Sequence, residues 1–527
     1  MKKDVLAELP AEAAAEGCKV IPLGFKLTDL GNAERLVARH RDVIRYCPHR
    51  KKWLVYDTKR WAWDETGKIV QLAKLTVRGI YEEASVCQDE ETRKAIAKHA
   101  RDSEKHSRIA AMLALAQSEV GVPVLLNELD ADPWKLNVSN GTIDLKTGEL
   151  RQHNRLDLIT KSTGVTYQTA ATSELWDRVL HDATGGDREL ASYLQRVAGY
   201  ALIGEPLERA FFFLHGPPGT AKSTLIEALH AALGDYVHSA AFETWLVQAS
   251  VGGNRGDLVR LLGARLVTSV EVRQGARWDE ALVKRVTGGD EVVAAAKFEG
   301  EITFRPGFTL LLAANDAPGA REDDAGLWAR MKRIPLTAQI PASRQDPTIK
   351  IKLRQPEHAA AVLAWAVLGC LAYQRDGLGT CNAVDVSTSA YRLENDQWSE
   401  YLDDCCVMEP SGRVTRAELR ESYEKWGKET GRRKLLTAKE IAGRLRDKGC
   451  HDVKVRGTLS WEGIRLRDAS DPHQGAAEAQ GAAGGTFYRE VPTEVSYEES
   501  LGNATPSCPL VPPTDEATDA WRVEVEL

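Results

Sequence analysis

The chain has 527 residues, 43% of them hydrophobic and 28% charged, with 69 Lys and Arg against 76 Asp and Glu for a net charge of −7. That composition fits an ordinary globular protein with room for about three or four domains. The charge balance excludes a generally basic nucleic-acid binder but not positive charge kept inside a channel. No apolar run approaches the roughly 20 residues of a membrane span, and MKKDVLAELPAEAAAEG lacks the apolar core of a secretory signal. Nine scattered cysteines without a CxxC pair read as reduced cytosolic thiols, so a cytoplasmic protein is expected. Cys47-Pro48-His49 has no second ligand pair after it, and no zinc site is expected.

Residues 1–41, rich in Ala and Glu, read as a mobile N-terminal segment. Residues 42–172 read as an α+β domain. In it, Trp53, Trp61 and Trp63 alternate as in a strand pair with Asp64-Glu65-Thr66-Gly67 as its turn, and 68–118 are helical. Short strands then surround turns marked by Asn140-Gly141 and Thr147-Gly148. Between 173 and 205 the apolar residues Leu175, Trp176, Val179 and Leu180, then Leu190, Tyr193, Leu194, Val197 and Tyr200, recur at helical spacing. This block is either a collar for oligomerisation or a plain prefix of the next domain.

Residues 206–340 carry the chemistry. The apolar run Phe211–Leu214 reads as a buried parallel strand and stops at Gly216-Pro217-Pro218-Gly219-Thr220-Ala221-Lys222-Ser223, followed from Thr224 by a helix. Strand, glycine-rich turn and helix in that order make a phosphate-binding loop. Its N–H groups cradle a di- or triphosphate, Lys222 reaches the terminal phosphates and the Ser223 hydroxyl holds Mg²⁺. Ala221 stands where the second glycine is expected, which the loop tolerates if that residue needs no positive φ.

A second buried strand over 263–271 ends at Glu271, placed to polarise an attacking water, with a strand-end salt bridge as its alternative role. Val270 occupies the position before it, so Mg²⁺ would rest on Ser223, nucleotide oxygens and waters. A third strand, Phe308–Ala314, ends at Asn315-Asp316, where an amide can touch both the γ-phosphate and the water. Past it, Arg330, with Arg333 in reserve, is the arginine offered to a neighbouring subunit's nucleotide. Val292–Ala296 and Glu301–Phe304 pair as a hairpin with Lys297 and Phe298 near its tip, suited to gripping a phosphate and leaning on a base.

Residues 341–392 form a helical packing segment in which Ala359–Leu368 is a buried helix. In 393–468 three helices precede a basic hairpin turning at Arg456-Gly457-Thr458. Its cations Arg432, Arg433, Lys434, Lys439, Arg444 and Arg446 suit DNA contact, protein docking or mere solvation. Residues 469–527 read as a disordered tail.

In this order and spacing, GPPGTAKST, RLVTSVEV, KRVTGGDEVVAAAKFEGEITF and LLLAANDAP resemble the Walker A, Walker B, B-prime and C motifs of superfamily 3 helicases. The phage/plasmid primase branch, relatives of the poxvirus helicase-primase, is the nearest likeness, and DADPWKLNVSNGTIDLKTGEL is similar to the domain preceding its helicase. The resemblance spans residues 42–468. It implies an α/β fold: a P-loop, AAA+-like ATPase core with a parallel sheet, an α+β domain before it and a small winged-helix-like domain after it. It also implies a homo-hexamer that uses ATP and Mg²⁺ to move 3′ to 5′ on single-stranded and forked DNA in a bacterial host's cytosol. Lys297, and Phe298 beside it, would contact the strand, Asn315 would sense the γ-phosphate and Arg330 would be the finger. Ala221 and Val270 depart from the pattern and bear on turnover. Only about 40 residues precede the matching region, too few for a primase core, so a separate primase or polymerase is the expected partner. A nucleotide-switched initiator or loader without processive unwinding is the alternative, and a nucleotide-stabilised scaffold a third reading.

Overall fold

The computed structural model describes residues 24–247, 255–272, 276–295, 301–320, 324–430, 435–455, 457–468 and 471. Two compact units divide the chain at Glu400.

The first unit begins with α1 (Asp29–His40), capped by the Thr28 hydroxyl accepting from the Gly31 N–H at 3.1 Å. It corrects the expectation of a mobile segment through residue 41. Ala33, Leu36 and Val37 are buried, and Arg35 gives both its Nε contacts to Glu83, at 2.9 and 3.1 Å, beneath the surface. An apolar stripe and a buried ion pair fix a helix that bulk Ala and Glu content concealed.

Strands β1 (Ile44–Cys47), β2 (Lys52–Tyr56) and β3 (Trp61–Trp63) form an antiparallel sheet. The turn between β2 and β3 is Asp57–Arg60, not Asp64–Gly67 as expected, because Tyr56 pairs with Trp61. Asp64 instead accepts N–H bonds from Lys68 and Ile69, both at 2.9 Å, and so starts α2 (Lys68–Val86). Helices α3 (Glu90–Ser103) and α4 (His106–Ala116) come next. A second antiparallel sheet holds β4 (Lys135–Val138), β5 (Gly141–Asp144) and β6 (Glu149–Arg151).

Helices α5 (Glu174–Thr184) and α6 (Arg188–Tyr200) lead to a five-stranded parallel sheet. Its strands are β7 (Phe211–His215), β8 (Val237–Ser239), β9 (Leu266–Val270), β12 (Thr309–Ala314) and β13 (Met331–Pro335), in the order β13-β7-β12-β9-β8. Between β9 and β12 lies the antiparallel pair β10 (Val292–Ala295) and β11 (Glu301–Phe304). The residues joining them, with Lys297 and Phe298, lie outside the described residues.

Both faces of the parallel sheet are covered, as its unbroken apolar strands require. Phe212, Leu214, Leu311 and Ala313 enter one core, with α5, α6, α7 (Lys222–Leu233) and the later helix Pro356–Asp376. Phe211, Phe213, Leu310 and Leu312 enter the other, around Trp245 and Trp278. The apolar stripe of α5 and α6 is therefore buried within the chain itself.

Helices α8 (Gly256–Val259), α9 (Glu280–Gly288), α10 (Ala325–Arg330), α11 (Ile349–Leu353), α12 (Pro356–Asp376) and α13 (Asn382–Glu394) complete this unit. Among the described residues α12 is the one helix long and apolar enough to cross a membrane, which corrects the expectation of no such run. Val362, Leu363, Ala366, Val367 and Cys370 nevertheless place it in the core. A β-carbon on Gly199 would stand 2.0 Å from Cys370 N, and one on Gly369 would stand 2.0 Å from Gln195 O, so α6 and α12 touch backbone to backbone.

Helix α14 (Gln397–Cys405) runs into the second unit, which continues through β14 (Cys406–Thr415), α15 (Arg416–Glu429), α16 (Ala438–Asp447), β15 (His451–Val455) and β16 (Thr458–Leu466). The sheet order is β14-β16-β15, all antiparallel. Strand β14 was not expected. Arg432, Arg433 and Lys434, the hairpin-turn residue Arg456 and the tail from residue 472 lie outside the described residues.

Candidate nucleotide-binding site

Strand β7 delivers the loop to the carboxyl edge of the sheet, where β9 and β12 also end. Gly216, at φ 156, has no room for a side chain, since a β-carbon would lie 1.9 Å from Leu336 O. Its neighbour Gly219 accepts the Ile340 N–H at 3.0 Å, tying the loop to the chain after β13. Helix α7 has no side-chain cap, and Lys222, Ser223 and Thr224 of its first turn line the cavity.

Ala221 has φ 62, the left-handed region that glycine takes without cost. The condition on which alanine was expected to be tolerated is thus not met, and the loop carries backbone strain of about 1 kcal/mol at that residue. Lys222 is buried, its ammonium donating to Gly216 O at 2.7 Å, Pro217 O at 2.8 Å and Thr220 Oγ1 at 3.1 Å. Burial lowers its pKa from the ordinary lysine value. An ammonium held on neutral carbonyls in this way is ready to exchange them for phosphate oxygens.

The cavity encloses about 1150 Å³, and its walls include Gly219, Thr220, Ala221, Lys222, Ser223 and Thr224 from the loop, Val270 and Glu271 at and just past the end of β9, and Asn315 and Asp316 just past β12. Pro217, whose carbonyl receives Lys222, belongs to the same turn. Strand β12 lies between β7 and β9, which sets Asn315 between the loop and Glu271 along the edge. Glu271 also has a positive φ, 66, while its N–H still donates to Ala313 O at 3.0 Å. The ladder extends one residue past β9 and the backbone then turns sharply, and strained residues of this kind cluster where function needs a fixed geometry.

The two arginines behave differently. Arg330 ends α10, donates Nη1 to Gly326 O at 2.8 Å, has no partner for its buried Nε among the described residues and lies outside the cavity walls. Arg333 is a β13 residue only 7% exposed, donating to Glu394 at 3.2 Å and to the His215 ring at 3.0 Å, with its guanidinium 4.8 Å from the Tyr391 ring. These contacts hold it within its own chain. Behind the loop, burial, together with Arg333, lowers the pKa of His215 to about 4, so its ring is neutral near pH 7.

Sequence spacing gave no sign of Arg178, Arg344, Lys350 and Lys352, which line the same cavity. Arg344 pairs with Asp182 at 3.2 Å and Lys352 with Asp346 at 2.7 Å. Arg178 comes from α5, Arg344 from the turn before α11, and Lys350 and Lys352 from α11 itself, far from the loop in sequence, and only the fold brings them together.

Residues 33–185 match the family described as D5 N terminal like. The chain is also similar, at 23% identity over 344 residues (60% of this chain), to the helicase-named protein L207/L206 of Acanthamoeba polyphaga mimivirus, covering 35% of that protein. The helicase-named V13 of Sputnik virophage is 28% identical over 136 residues, covering 25% of this chain and 18% of its own length. The helicase-named 022R of Frog virus 3 is 21% identical over 257 residues, 46% of this chain and 26% of that protein. The chain thus spans about a third or less of the curated relatives it matches. An apo structure of the NrS-1 C-terminal region matches at TM-score 0.47 and 11% identity, covering 83% of this chain and 99% of that one. The matched residues run from α1 to the end of α5, and α6 separates them from the first strand of the parallel sheet.

Proposed function

We propose that this chain is an ATP-dependent DNA helicase of a virus, phage or mobile element, acting as a hexameric ring that translocates 3′ to 5′ on single-stranded DNA. One observation carries the reading: the phosphate loop, Glu271 and Asn315 stand on three parallel strand ends and open onto one cavity. The loop and the α7 N-terminus would hold the phosphates of ATP, with Lys222 at the terminal ones, and Ser223 would hold Mg²⁺. The ion would supply charge neutralisation at the β- and γ-phosphates. Glu271 takes a proton from the attacking water, and Asn315 orients that water against the γ-phosphate. Arg330 from a neighbouring copy offsets transition-state charge, and Lys297 and Phe298 grip the DNA strand. The second unit, with its helix, strand, two helices and hairpin, is read as a winged-helix-like DNA-contacting module.

Glu271→Gln tests the chemistry. Nucleotide binding persists while hydrolysis falls by about 10²-fold or more, the usual reach of a general base. Unchanged hydrolysis would remove Glu271 from the mechanism. Lys297→Ala should abolish the stimulation of hydrolysis by single-stranded DNA.

The left-handed Ala221 favours a second reading, a nucleotide-switched initiator or loader without processive unwinding. Slow turnover with stable DNA binding, and no strand displacement, would select it.

A further inference from the structure

We propose that the tip of the β1–β2 hairpin, Arg50, Lys51 and Lys52 set beside Trp63, is a separate binding site for the phosphate backbone of single-stranded nucleic acid. It goes beyond the nucleotide cavity, none of whose walls it supplies. The tip is a tight turn: the Lys51 N–H donates to Pro48 O at 3.2 Å, and Lys51 itself has φ 50. His49, Arg50, Lys51 and Lys52 are consecutive and all exposed. Among the described residues none of these four enters an ion pair, whereas Arg60 on the next turn is held by Asp57 and Asp235. In a chain with seven more acidic than basic residues, such a run is an uncompensated concentration of positive charge.

Aromatic rings give the charge a fixed geometry. The Arg50 guanidinium lies 5.6 Å from the centroid of the half-buried Trp63 ring, and Arg45 lies 4.7 Å from that of Trp61 on the same sheet. Trp53, also half-buried, packs against Tyr46 with centroids 5.2 Å apart. A guanidinium laid on an indole loses less freedom when it meets a phosphate, and half-exposed indoles beside it offer faces or edges to unpaired bases. A further cation, Lys161, sits at the junction with the parallel sheet, beside Gly263. Burial lowers its pKa, and Arg50 and Arg265 add to that effect against Asp130 and Asp235. Exposed cations beside half-buried aromatic rings favour a polynucleotide over an acidic polypeptide, which would engage the cations alone.

The test is fluorescence anisotropy with the full chain, without nucleotide, comparing the parent with a triple variant, Arg50→Ala with Lys51→Ala and Lys52→Ala. Labelled thymidine and uridine oligonucleotides of about 30 residues are titrated across a salt series. The expected result is at least about tenfold weaker binding at low salt and a salt dependence shallower by about 2, since each lost cation on a single strand removes about 0.7. Loss with both oligonucleotides assigns the site to the shared backbone, and loss with one to DNA or RNA alone. The thermal unfolding midpoint should be unchanged, because the substituted side chains are exposed. Unchanged affinity and salt slope for both oligonucleotides overturn the proposal, as does a parent chain that binds neither. A polyglutamate competitor that displaces the oligonucleotide from the parent but not from the variant, at equal charge concentration, would assign the tip to acidic polypeptides and also overturn it. Lys297→Ala in the same titration examines the channel hairpin separately, so the two assignments fail independently.

Discussion

Ala221 and Lys222 are neighbours with opposite relations to the phosphate loop: one strains it and the other braces it. Ala221→Gly removes a left-handed alanine, a gain of about 1–2 kcal/mol, but also loosens the unfolded chain by about 0.4–1 kcal/mol. The unfolding midpoint should therefore barely rise, while nucleotide turnover increases if the strain limits loop closure on phosphate. Ala221→Val puts a β-branched residue at the same φ and should destabilise the chain by more than about 1 kcal/mol. Calorimetry and steady-state hydrolysis on the pair decide it, and a valine variant as stable as the parent would contradict the assigned conformation. Lys222→Ala should abolish hydrolysis and leave the fold intact, since its three acceptors are loop atoms that water can reach once the side chain is gone.

At the scale of elements, the contact between α6 and α12 is the most demanding. Gly199→Ala gains helix propensity of up to about 1 kcal/mol yet forces a β-carbon into the backbone at Cys370, so the helices must part. A net loss of about 1–3 kcal/mol in denaturant unfolding is expected, in line with overpacking. A stabilised variant would mean the helices do not meet there. Arg265 makes a comparable joint at the start of β9, donating to Leu202 O and Lys135 O, both at 2.6 Å, with its guanidinium 4.7 Å from the Tyr236 ring. Arg265→Met should cost about 1–3 kcal/mol for each carbonyl left unpaired.

Much of this level was legible in the sequence: Phe211–Leu214, the strand ending at Glu271 and the strand ending at Ala314 are apolar runs that only a covered sheet can hide. The rest was hidden by the way each signal is carried. Strand β13 is short and mixes Lys332 and Arg333 into its run, and β14 alternates weakly, with an irregular register between Met408 and Arg413. The positive φ at Ala221 is a demand of the turn, not of the residue. Arg344 and Lys352 reach the cavity through a return of the chain that no local pattern records.

For the whole molecule, half-buried neutral imidazoles link stability to pH. Burial brings His40 and His215 down to about 4, and lowers His99, His230 and His238 as well. An unfolded histidine titrates near 6.5, so between about 6.5 and 4 the unfolded chain binds more protons than the folded one. Stability from these groups is fully present above about 6.5 and is lost as pH falls toward 4. The unfolding midpoint should drop across that window, and His40→Gln should flatten the drop; a profile flat from 7 to 4 would contradict the half-buried, neutral assignment. The same scale holds the central claim, that triphosphate cleavage in the cavity formed by β7, β9 and β12 drives movement on DNA. Strand displacement on a 3′-tailed duplex, run with the full chain and with Lys222→Ala, tests it most directly. The account predicts ATP-dependent release of the displaced strand by the parent chain and none by the variant; displacement that persists without Lys222, or none by the parent despite active hydrolysis, would contradict it.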